Sequence, residues 1–348
     1  MSDHGGANLA EYVRQAAAQR PDGPALAVGA TRLTWADVDR AVDAASAGFL
    51  AAGLTQGDRI GLFLGNCPEF VIAYFGVLRA GLVAVPLNPG LTAPELGPLL
   101  THAGAKLVVA DADSMPALRL TGADVQVVVA GPDASGERSF DALLEAGRSG
   151  QPSGDQVETG VGGEDLAVIL YTSGTSGEPK GAMLTHRALR GSIEQVASLE
   201  RPIATPDDVV LLVLPLAHIY SLNGTLGAVV RQAATAVLVD HFDPEATLRL
   251  IQQHHVTNIP GAPAIWAAWA KRPDLAPALA GVRLLFSGSA GLPVDVQQQV
   301  LATTGLFVHE GYGLTEAAPG VSSTLVSGST TSGSVGQPFP GVEVRLVD

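Results

Sequence analysis

The sequence predicts an α/β fold with two doubly wound, mostly parallel sheets and flanking helices. Over the first 110 residues, short apolar runs alternate with longer segments of helical periodicity, a pattern typical of successive β-α-β units. The alternation resumes after residues 131–164, which are rich in Gly, Ser, Asp and Pro and predict a surface connection. We therefore expect one α/β layer before this connection and a second layer after it.

The elements of the first layer follow from their boundaries. Thr34 and Asp37 have the spacing of a capping box and predict the start of a helix, which Gly53 should end. The remaining pattern of this layer predicts strands at 58–64, 82–86 and 105–111 and helices at 68–80 and 93–103.

The second layer is predicted to begin with a buried strand at 166–171, which leads through a loop to a helix starting near Thr185. Residues 322–334 predict a loop, and the alternating residues 341–348 predict a strand of a different, antiparallel element. Between these regions, helical patterns separate a series of predicted strands. These strand-like runs lie at 209–214, 234–240, 256–259, 282–287 and 307–309.

Composition excludes several classes of protein. The chain of 348 residues is 47% hydrophobic and 16% charged, so it is predicted to fold around a large core. Its formal net charge of -14 argues against a broad basic face and against nucleic acid as a partner. The one cysteine, Cys67, excludes an intrachain disulfide framework and a cysteine zinc site.

No targeting or membrane segment is predicted. The first residues lack a basic start followed by an apolar run, so we expect a cytoplasmic protein. Residues 209–230 carry no formal charge and are long enough to span a bilayer. Pro215, Asn223 and Gly224 interrupt this run, so we interpret it as a strand, a loop and a core helix.

A loop rich in glycine and hydroxyl groups follows the predicted strand at 166–171. Residues 171–181 read YTSGTSGEPKG and hold three glycines and one lysine, Lys180. Glycines let backbone N–H groups approach phosphate oxygens, and the lysine adds a positive charge. Pro179 and Gly181 depart from the Walker P-loop, and no dinucleotide-binding glycine motif follows the first strand. The loop predicts polyphosphate binding, with a flexible surface turn as the alternative.

This loop resembles the signature loop of the AMP-forming acyl- and aryl-CoA synthetases, luciferases and peptide-synthetase adenylation domains. The resemblance implies a large AMP-binding N-terminal domain of two α/β subdomains over 1–320 and the start of a β-barrel subdomain over 321–348. It also implies that a small C-terminal lid domain lies outside this sequence, and we expect weak turnover or none from the chain as given. Further motifs of the superfamily follow in the same order, namely LPLAHIY at 214–220, SGSAGLP at 287–293, GYGLTE at 311–316 and GSVGQP at 333–338.

The resemblance implies a ligase that uses ATP, Mg²⁺ and coenzyme A. In such enzymes a carboxylate attacks the α-phosphate of ATP, which gives an acyl-adenylate and pyrophosphate, and a thiol then takes the acyl group. Positioning and charge stabilisation serve such a displacement, so no protein nucleophile is needed. We expect a fatty acid or another small carboxylic acid as the substrate.

The resemblance also assigns roles to individual residues. Tyr312 would lie against the adenine ring, Thr315 would touch the α-phosphate, and Glu316 would hold Mg²⁺. Thr175 would be a second metal contact. The implied catalytic residues are Lys180, His218, Thr315 and Glu316. The implied ATP- and AMP-binding residues are Thr172, Ser173, Gly174, Thr175, Ser176, Gly177, Lys180, Gly288, Ser289, Ala290, Glu310, Gly311, Tyr312, Gly313 and Thr315.

The acyl pocket and the acceptor leave alternatives open. Core packing is the alternative for Trp266 and its neighbours and for His218, while Arg231 and Arg283 are candidates to bind the second carboxylate of a dicarboxylic acid. An acyl-AMP ligase would hand its product to a carrier protein instead of coenzyme A, and a non-catalytic module would only bind nucleotide or acyl groups. The implied pocket residues are His218, Ile219, Gly261, Ala262, Trp266 and Gly313.

Overall fold

The structure is a computed structural model that describes residues 8–131, 136–150, 160–172, 180–327 and 330–347. Its strands, numbered along the chain, are β1 (Pro24–Val28), β2 (Thr31–Thr34), β3 (Arg59–Phe63), β4 (Val83–Pro86), β5 (Ala105–Asp111), β6 (Gln126–Ala130), β7 (Arg138–Ser139), β8 (Leu166–Thr172), β9 (Lys180–Thr185), β10 (Val209–Leu212), β11 (Thr235–Leu238), β12 (Asn258–Gly261), β13 (Leu284–Ser287), β14 (Val308–Gly313), β15 (Gly320–Ser323) and β16 (Gln337–Pro338).

Helix α1 precedes the first strand, and the other α-helices lie between strands, together with a π-helix at Tyr220–Gly227 and a 3₁₀ helix at Thr315–Ala317. The α-helices, again numbered along the chain, are α1 (Glu11–Gln19), α2 (Trp35–Ala51), α3 (Pro68–Arg79), α4 (Ala93–Ala103), α5 (Met115–Leu120), α6 (Phe140–Gly150), α7 (His186–Ala197), α8 (Ala228–Arg231), α9 (Pro244–Gln253), α10 (Pro263–Trp269), α11 (Leu275–Ala278) and α12 (Val294–Thr304).

The chain folds into two compact units. In the described part of unit 1, seven strands form a sheet of order β7-β6-β5-β3-β4-β8-β9. Neighbouring strands in this sheet are parallel, except that β8 and β9 run antiparallel. Unit 1 comprises Met1–Gly23, Leu33–Arg190 and Leu216–His218, and unit 2 comprises Pro24–Arg32, Gly191–Pro215 and Ile219–Asp348.

The sheet of unit 2 has, within the described ranges, nine strands in the order β16-β15-β14-β13-β12-β10-β11-β1-β2. From β14 to β1 the neighbouring strands pair in parallel, whereas β15 and β16 add an antiparallel edge beside β14. The prediction of two mostly parallel sheets with flanking helices is confirmed. The predicted division into one layer before residues 131–164 and a second layer after them is wrong. β8, which was expected to begin the second layer, pairs with β4 in the sheet of unit 1, and β1 pairs with β11 in the sheet of unit 2. The predicted domain boundary after residue 320 stays a prediction.

Elements of the first layer lie where their end signals predict them. The bounds of α4 and β5 agree residue for residue with the predicted 93–103 and 105–111. The capping box of α2 forms, because the backbone N–H of Asp37 donates to the Thr34 hydroxyl at 3.2 Å and the N–H of Thr34 donates to the Asp37 carboxylate at 3.0 Å. The capping box is therefore enough to predict where α2 begins.

The prediction of a continuous surface connection over 131–164 is wrong, because α6 lies within it. A Cβ atom on Gly147 would lie 2.0 Å from the carbonyl oxygen of Ala44 on α2. The glycine thus permits a close contact between two helices and does not mark a loop. The buried residues of α6 recur with helical spacing, namely Phe140, Leu143, Leu144 and Gly147.

Strand β9 is a second element that the sequence analysis missed, since a loop was predicted to lead directly to the helix near Thr185. β9 forms the edge of its sheet and pairs only with β8 among the described strands. Its outward side chains therefore meet solvent, and Met183 is 69% exposed. The weak hydrophobic alternation of an edge strand explains why the pattern did not reveal it.

The strand predicted over 341–348 does not form in residues 342–347. The apolar residues of its alternating pattern are exposed, with Leu346 93% and Val344 54% accessible. A strand needs a neighbour that satisfies its backbone N–H and C=O groups, and within the described ranges no strand pairs with this segment. Alternation alone is therefore an insufficient signal at this position.

The structure describes no helix that is long and apolar enough to cross a membrane. The uncharged run at 209–230 instead forms β10, the π-helix and α8. Its interpretation as a strand, a connection and a core helix is therefore confirmed.

His186, the first residue of α7, is expected to make unit 1 sensitive to acid. Its side chain is fully buried, and its Nδ1 accepts a hydrogen bond from the backbone N–H of Leu9 at 3.0 Å. Removal from water lowers the pKa of His186 to about 4, so between pH 6.5 and 4 the unfolded state binds a proton that the folded state excludes. The free energy of unfolding should be unaffected above pH 6.5 and should fall by up to about 3 kcal/mol as the pH falls to 4.

The matched variant is His186→Asn, whose side-chain oxygen can accept the same bond from Leu9 but does not titrate. Urea unfolding at a series of pH values should show a smaller loss of stability for this variant between pH 6.5 and 4. Equal losses in the two proteins would show that other groups set the acid sensitivity.

Candidate functional site

The segment predicted to bind phosphate lies between β8 and β9 in unit 1. Thr172 ends β8 and Lys180 begins β9, and the two residues face each other in the antiparallel ladder. Lys180 is exposed. The structure thus brings the two predicted residues that flank the loop onto neighbouring strand ends. The predicted residues that fall outside the described ranges are Ser173, Gly174, Thr175, Ser176 and Gly177.

Tyr171 anchors the end of β8 next to this segment. Its hydroxyl donates to the carbonyl oxygen of Leu99 at 3.2 Å and lies 2.8 Å from Nδ1 of His102. Partial burial raises the pKa of Tyr171, so the phenol stays neutral at pH 7. His102 carries no local signal of this contact in the sequence, because it and Tyr171 are 69 positions apart.

His218 and Ile219 lie in the connection that leads into the π-helix. The backbone N–H of Leu216, two residues earlier, donates to Oδ1 of Asn66 at 2.9 Å and holds the turn that carries His218. His218 is accessible to solvent, but surrounding protein atoms displace part of its water and lower its pKa. Its imidazole is therefore neutral at pH 7 and can accept a proton. Ile219 is 2% exposed and packs inward.

Three neighbouring strand ends in unit 2 carry most of the other predicted residues. Gly261, Ser287 and Glu310 are in register on β12, β13 and β14. Because these strands are parallel, the residues that follow them lie at one edge of the sheet, which is where open α/β sheets bind ligands. The structure thereby brings together the predicted segments 288–290 and 311–313.

The backbone of the first of these segments is close to β12. The N–H of Gly288 donates to the carbonyl oxygen of Gly261 at 3.2 Å. Ser289 has a positive φ of 72° and is exposed together with Ala290. A Cβ atom on Gly288 would lie 3.0 Å from the ring of Tyr220. The glycine therefore serves packing as well as any ligand contact.

Glu310 has a different environment from the one that ATP contact suggests. Its side chain is 3% exposed, and its Oε2 accepts a hydrogen bond from the backbone N–H of Leu292 at 2.9 Å. Its own N–H donates to the Thr324 hydroxyl at 3.0 Å. Glu310 therefore fixes the loop after β13 from inside the unit, and direct contact of its carboxylate with nucleotide stays a prediction.

Three further predicted residues follow Glu310 in the chain. Tyr312 lies on β14, and Thr315 and Glu316 come shortly after that strand. Tyr312 is 51% exposed, which leaves its ring free to stack. Thr315 and Glu316 begin the 3₁₀ helix, and Glu316 is exposed. The backbone N–H of Leu314 donates to the carbonyl oxygen of Pro319 at 3.0 Å and closes this turn. An aromatic face, a hydroxyl and a carboxylate thus lie within five residues.

Glu316 fits the way that Mg²⁺ binds in nucleotide sites. No cluster of three or more His, Cys, Asp and Glu side chains that suits a metal occurs in the part of the chain that the structure describes. Mg²⁺ does not need such a cage, because it keeps several waters and binds one or two carboxylates plus phosphate oxygens. The exposed carboxylate of Glu316, beside the turn predicted to contact phosphate, meets that requirement.

Trp266 lies in the hydrophobic core of unit 2. Its side chain is 0% exposed, and its ring contacts that of Trp269 edge to face at a centroid distance of 5.7 Å. A Cβ atom on Gly261 would lie 2.9 Å from the Trp266 ring. The structure therefore favours the core-packing alternative for Trp266. Ala262, at the start of α10, is partly buried and extended.

The two candidate arginines for a dicarboxylic acid are already engaged in ion pairs. Arg231 donates from Nε and Nη2 to the Glu194 carboxylate at 2.7 and 3.2 Å. Arg283 donates from Nε to Asp208 at 2.7 Å and pairs with it also through Nη2. Burial alone would raise the pKa of Asp208, but hydrogen bonds from Arg283 and two threonines outweigh it and lower that pKa. Both guanidinium groups thus have internal carboxylate partners.

Comparison with known proteins connects this arrangement to enzymes. Residues 13–348 match the family model described as AMP-binding enzyme. The chain is 34% identical over 350 residues to 4-coumarate--CoA ligase 3 of Oryza sativa subsp. japonica, covering 98% of this chain and 62% of the relative. It is 29% identical to the long-chain-fatty-acid--CoA ligase of Bacillus subtilis, covering 97% of this chain and 65% of the relative. The chain thus spans slightly less than two thirds of these relatives.

Solved structures give the same result. The ATP-bound structure of MatB from Rhodopseudomonas palustris is similar with a TM-score of 0.87 and 30% identity, over 99% of this chain and 66% of that one. The inhibitor-bound N-terminal domain of FACL13 from Mycobacterium tuberculosis has a TM-score of 0.85 and 28% identity, over 96% of this chain and 82% of that one. The ordered motifs, the fold and these similarities together show that the chain belongs to the AMP-binding enzyme family.

Proposed function

We propose that this chain binds Mg²⁺·ATP and a carboxylic acid and joins them into an acyl-adenylate with release of pyrophosphate. The observation that carries the proposal is one edge of the sheet of unit 2. There the segment 288–290 follows β13, the exposed ring of Tyr312 lies near the end of the neighbouring strand β14, and the turn with Thr315 and Glu316 follows β14. This edge offers a surface for a base, a hydroxyl for phosphate and a carboxylate for the metal. The relatives of this chain are named as CoA ligases, and this supports the proposed formation of an acyl-adenylate.

The first step needs positioning and charge, and the chain's residues supply both. One oxygen of the substrate carboxylate forms a bond to the α-phosphorus, while the bond from that phosphorus to the bridging oxygen of the β-phosphate breaks. Thr172, Lys180 and the segment 173–177 would hold the β- and γ-phosphates that leave as pyrophosphate. Thr315 would donate to the α-phosphate, whose charge is redistributed in the transition state.

Bound Mg²⁺ would neutralise phosphate charge, and Glu316 would hold it. Thr175 stays a proposed second contact. Tyr312 would place the adenine ring against its exposed face, with Gly311 and Gly313 leaving room beside it. These glycines have a packing reason as well, because a Cβ atom on Gly311 would lie 2.6 Å from the Phe286 ring.

In the second step we propose coenzyme A as the acceptor. The sulfur of its thiol forms a bond to the acyl carbon, the bond from that carbon to the AMP phosphate oxygen breaks, and AMP leaves. The neutral imidazole of His218 would accept the thiol proton. A carrier protein is the alternative acceptor, and product analysis with coenzyme A and with a carrier protein would separate the two.

We infer an acid with an uncharged tail, such as a fatty or aromatic acid. The guanidinium groups of Arg231 and Arg283 are each satisfied by an internal carboxylate, so neither is placed to bind a second carboxylate of the substrate. Apart from His218, the side chains proposed for the pocket, including Ile219 and Ala262, carry no ionisable group. Relatives named for 4-coumarate and for long-chain fatty acids support both kinds of acid.

Acid-dependent exchange of labelled pyrophosphate into ATP tests the proposal. The chain would be incubated with Mg²⁺·ATP, labelled pyrophosphate and single acids from a panel of fatty, aromatic and dicarboxylic acids. We expect exchange with monocarboxylic acids that have apolar tails and none with dicarboxylic acids. ATP binding without exchange for any acid would agree with a nucleotide-binding module and also with the weak turnover expected of the chain as given. The same assay on a longer chain that includes the lid domain would distinguish the two, because only an enzyme would then show exchange.

Tyr312 offers a separate test of the adenine position. Tyr312→Ala should weaken ATP binding by about 5- to 150-fold, because stacking of a base on an aromatic ring contributes about 1–3 kcal/mol. Tyr312→Phe keeps the ring and should bind ATP like the wild-type protein. The readout is the thermal shift over a series of ATP concentrations, since stabilisation by a ligand depends on its concentration relative to Kd. Equal shifts for the Ala and Phe variants would place the base elsewhere.

A further inference from the structure

A single buried amide holds the turn that carries Thr315 and Glu316. Asn223 is 1% exposed, and its Nδ2 donates to the carbonyl oxygen of Ala318 at 2.7 Å. Ala318 follows the 3₁₀ helix directly and has a positive φ of 60°. The amide therefore reaches the end of the turn whose start presents the hydroxyl and the carboxylate.

The backbone around Asn223 is adapted to this contact. Asn223 lies in the middle of the π-helix Tyr220–Gly227, a conformation that is rare and is frequently found at functional sites. The next residue, Gly224, has no side chain, and a Cβ atom there would already lie 3.4 Å from the ring of Pro319. The π-helix and the turn at 318–319 are thus closely packed at the position of the hydrogen bond.

The same π-helix also contacts the loop after β13. Its first residue, Tyr220, lies against Gly288, where a Cβ atom would be 3.0 Å from the Tyr220 ring. Ile219, a proposed pocket residue, immediately precedes the helix. One short element therefore links the proposed acyl side, the base-binding loop and the turn with Glu316.

We propose that Asn223 is a positioning residue that fixes the turn of Thr315 and Glu316 for adenylation. The inference rests on the proposed function, because it concerns the geometry of that reaction. A carbonyl oxygen needs a donor, and the amide supplies one. An aspartate of the same size would offer only acceptors when ionised, so it would leave the Ala318 oxygen unpaired and repel it.

The variants Asn223→Asp and Asn223→Ala test this role, the second in case the first does not fold. Gln297→Glu is the matched control, since Gln297 is also 1% exposed and donates from Nε2 to a backbone carbonyl, that of Val308, at 2.7 Å. It makes the same kind of bond in the same unit without touching the turn at 314–319. All proteins would be compared well below their unfolding temperatures.

Two readouts distinguish positioning from general stability. The first is hydrogen–deuterium exchange of the backbone amides at 314–318, which we expect to become faster in the Asn223 variants and to stay unchanged in the control. The second is acid-dependent pyrophosphate exchange, in which we expect kcat to fall about tenfold or more and the Mg²⁺ concentration for half-maximal rate to rise, with KM for the acid unchanged.

Unchanged amide exchange at 314–318 in both Asn223 variants would overturn the inference, and so would an equal loss of kcat in Gln297→Glu. Failure of the proposed function has a different result, because the wild-type chain would then show no acid-dependent exchange of pyrophosphate. In that case the amide measurements still decide whether Asn223 holds the turn.

Discussion

Glu316→Gln is expected to lower the rate of acid-dependent pyrophosphate exchange by about 10²- to 10³-fold. The substitution keeps the size of the side chain but removes its negative charge. Mg²⁺ prefers carboxylate oxygens, and loss of one well-placed electrostatic contact to a transition state typically has an effect of this size. The exposed position of Glu316 at the start of the 3₁₀ helix means that the fold should tolerate the change.

The control for this prediction is Glu343→Gln, the same substitution at another exposed carboxylate. It should retain the wild-type rate. Exchange rates would be measured at saturating ATP and acid over a series of Mg²⁺ concentrations, and ATP binding would be followed by thermal shift. A rate for Glu316→Gln within threefold of wild type would exclude Glu316 as the metal carboxylate.

Local signals predicted much of the fold. The capping box of Thr34 and Asp37 placed α2, and the hydrophobic pattern placed α4 and β5 at their observed bounds. The errors occur where tertiary contacts decide. Gly147 suggests a loop until Ala44 is known to pack against it, and the edge strand β9 carries too little apolar alternation to be distinguished from a loop.

The candidate site was predictable to the extent that it consists of contiguous motifs. Residues 288–290 and 311–316 were identified as motifs, but their shared position is seen only in the structure, where Ser287 of β13 pairs with Glu310 of β14. The hydrogen bond between Asn223 and Ala318 was not predictable, because the partners are 95 residues apart and a lone Asn in an apolar run suggests only an interruption. The ion pairs of Arg231 and Arg283 were hidden for the same reason.

The sequence left two roles open for Trp266, in the acyl pocket or in the hydrophobic core. The stability of a variant without the indole ring distinguishes these two roles. Trp266→Ala should lower the free energy of unfolding by about 3–5 kcal/mol, because the indole is fully buried and its removal leaves a cavity in the core. Urea unfolding of the variant gives this value. A loss below about 1 kcal/mol would show that the ring is not part of the core.

The neighbouring tryptophan supplies a matched comparison. Within the described residues the Nε1 of Trp266 has no hydrogen-bond partner, whereas that of Trp269 donates to the carbonyl oxygen of Pro244 at 3.0 Å. Replacement by Phe removes a similar volume from both residues but breaks a hydrogen bond only at Trp269, so Trp269→Phe should be the less stable variant by about 1 kcal/mol. Trp266→Phe could instead keep the stability of the wild-type protein and change which acids support pyrophosphate exchange. That result would place the ring in the acyl pocket, because a residue that acts only through core packing alters stability before it alters the choice of acid.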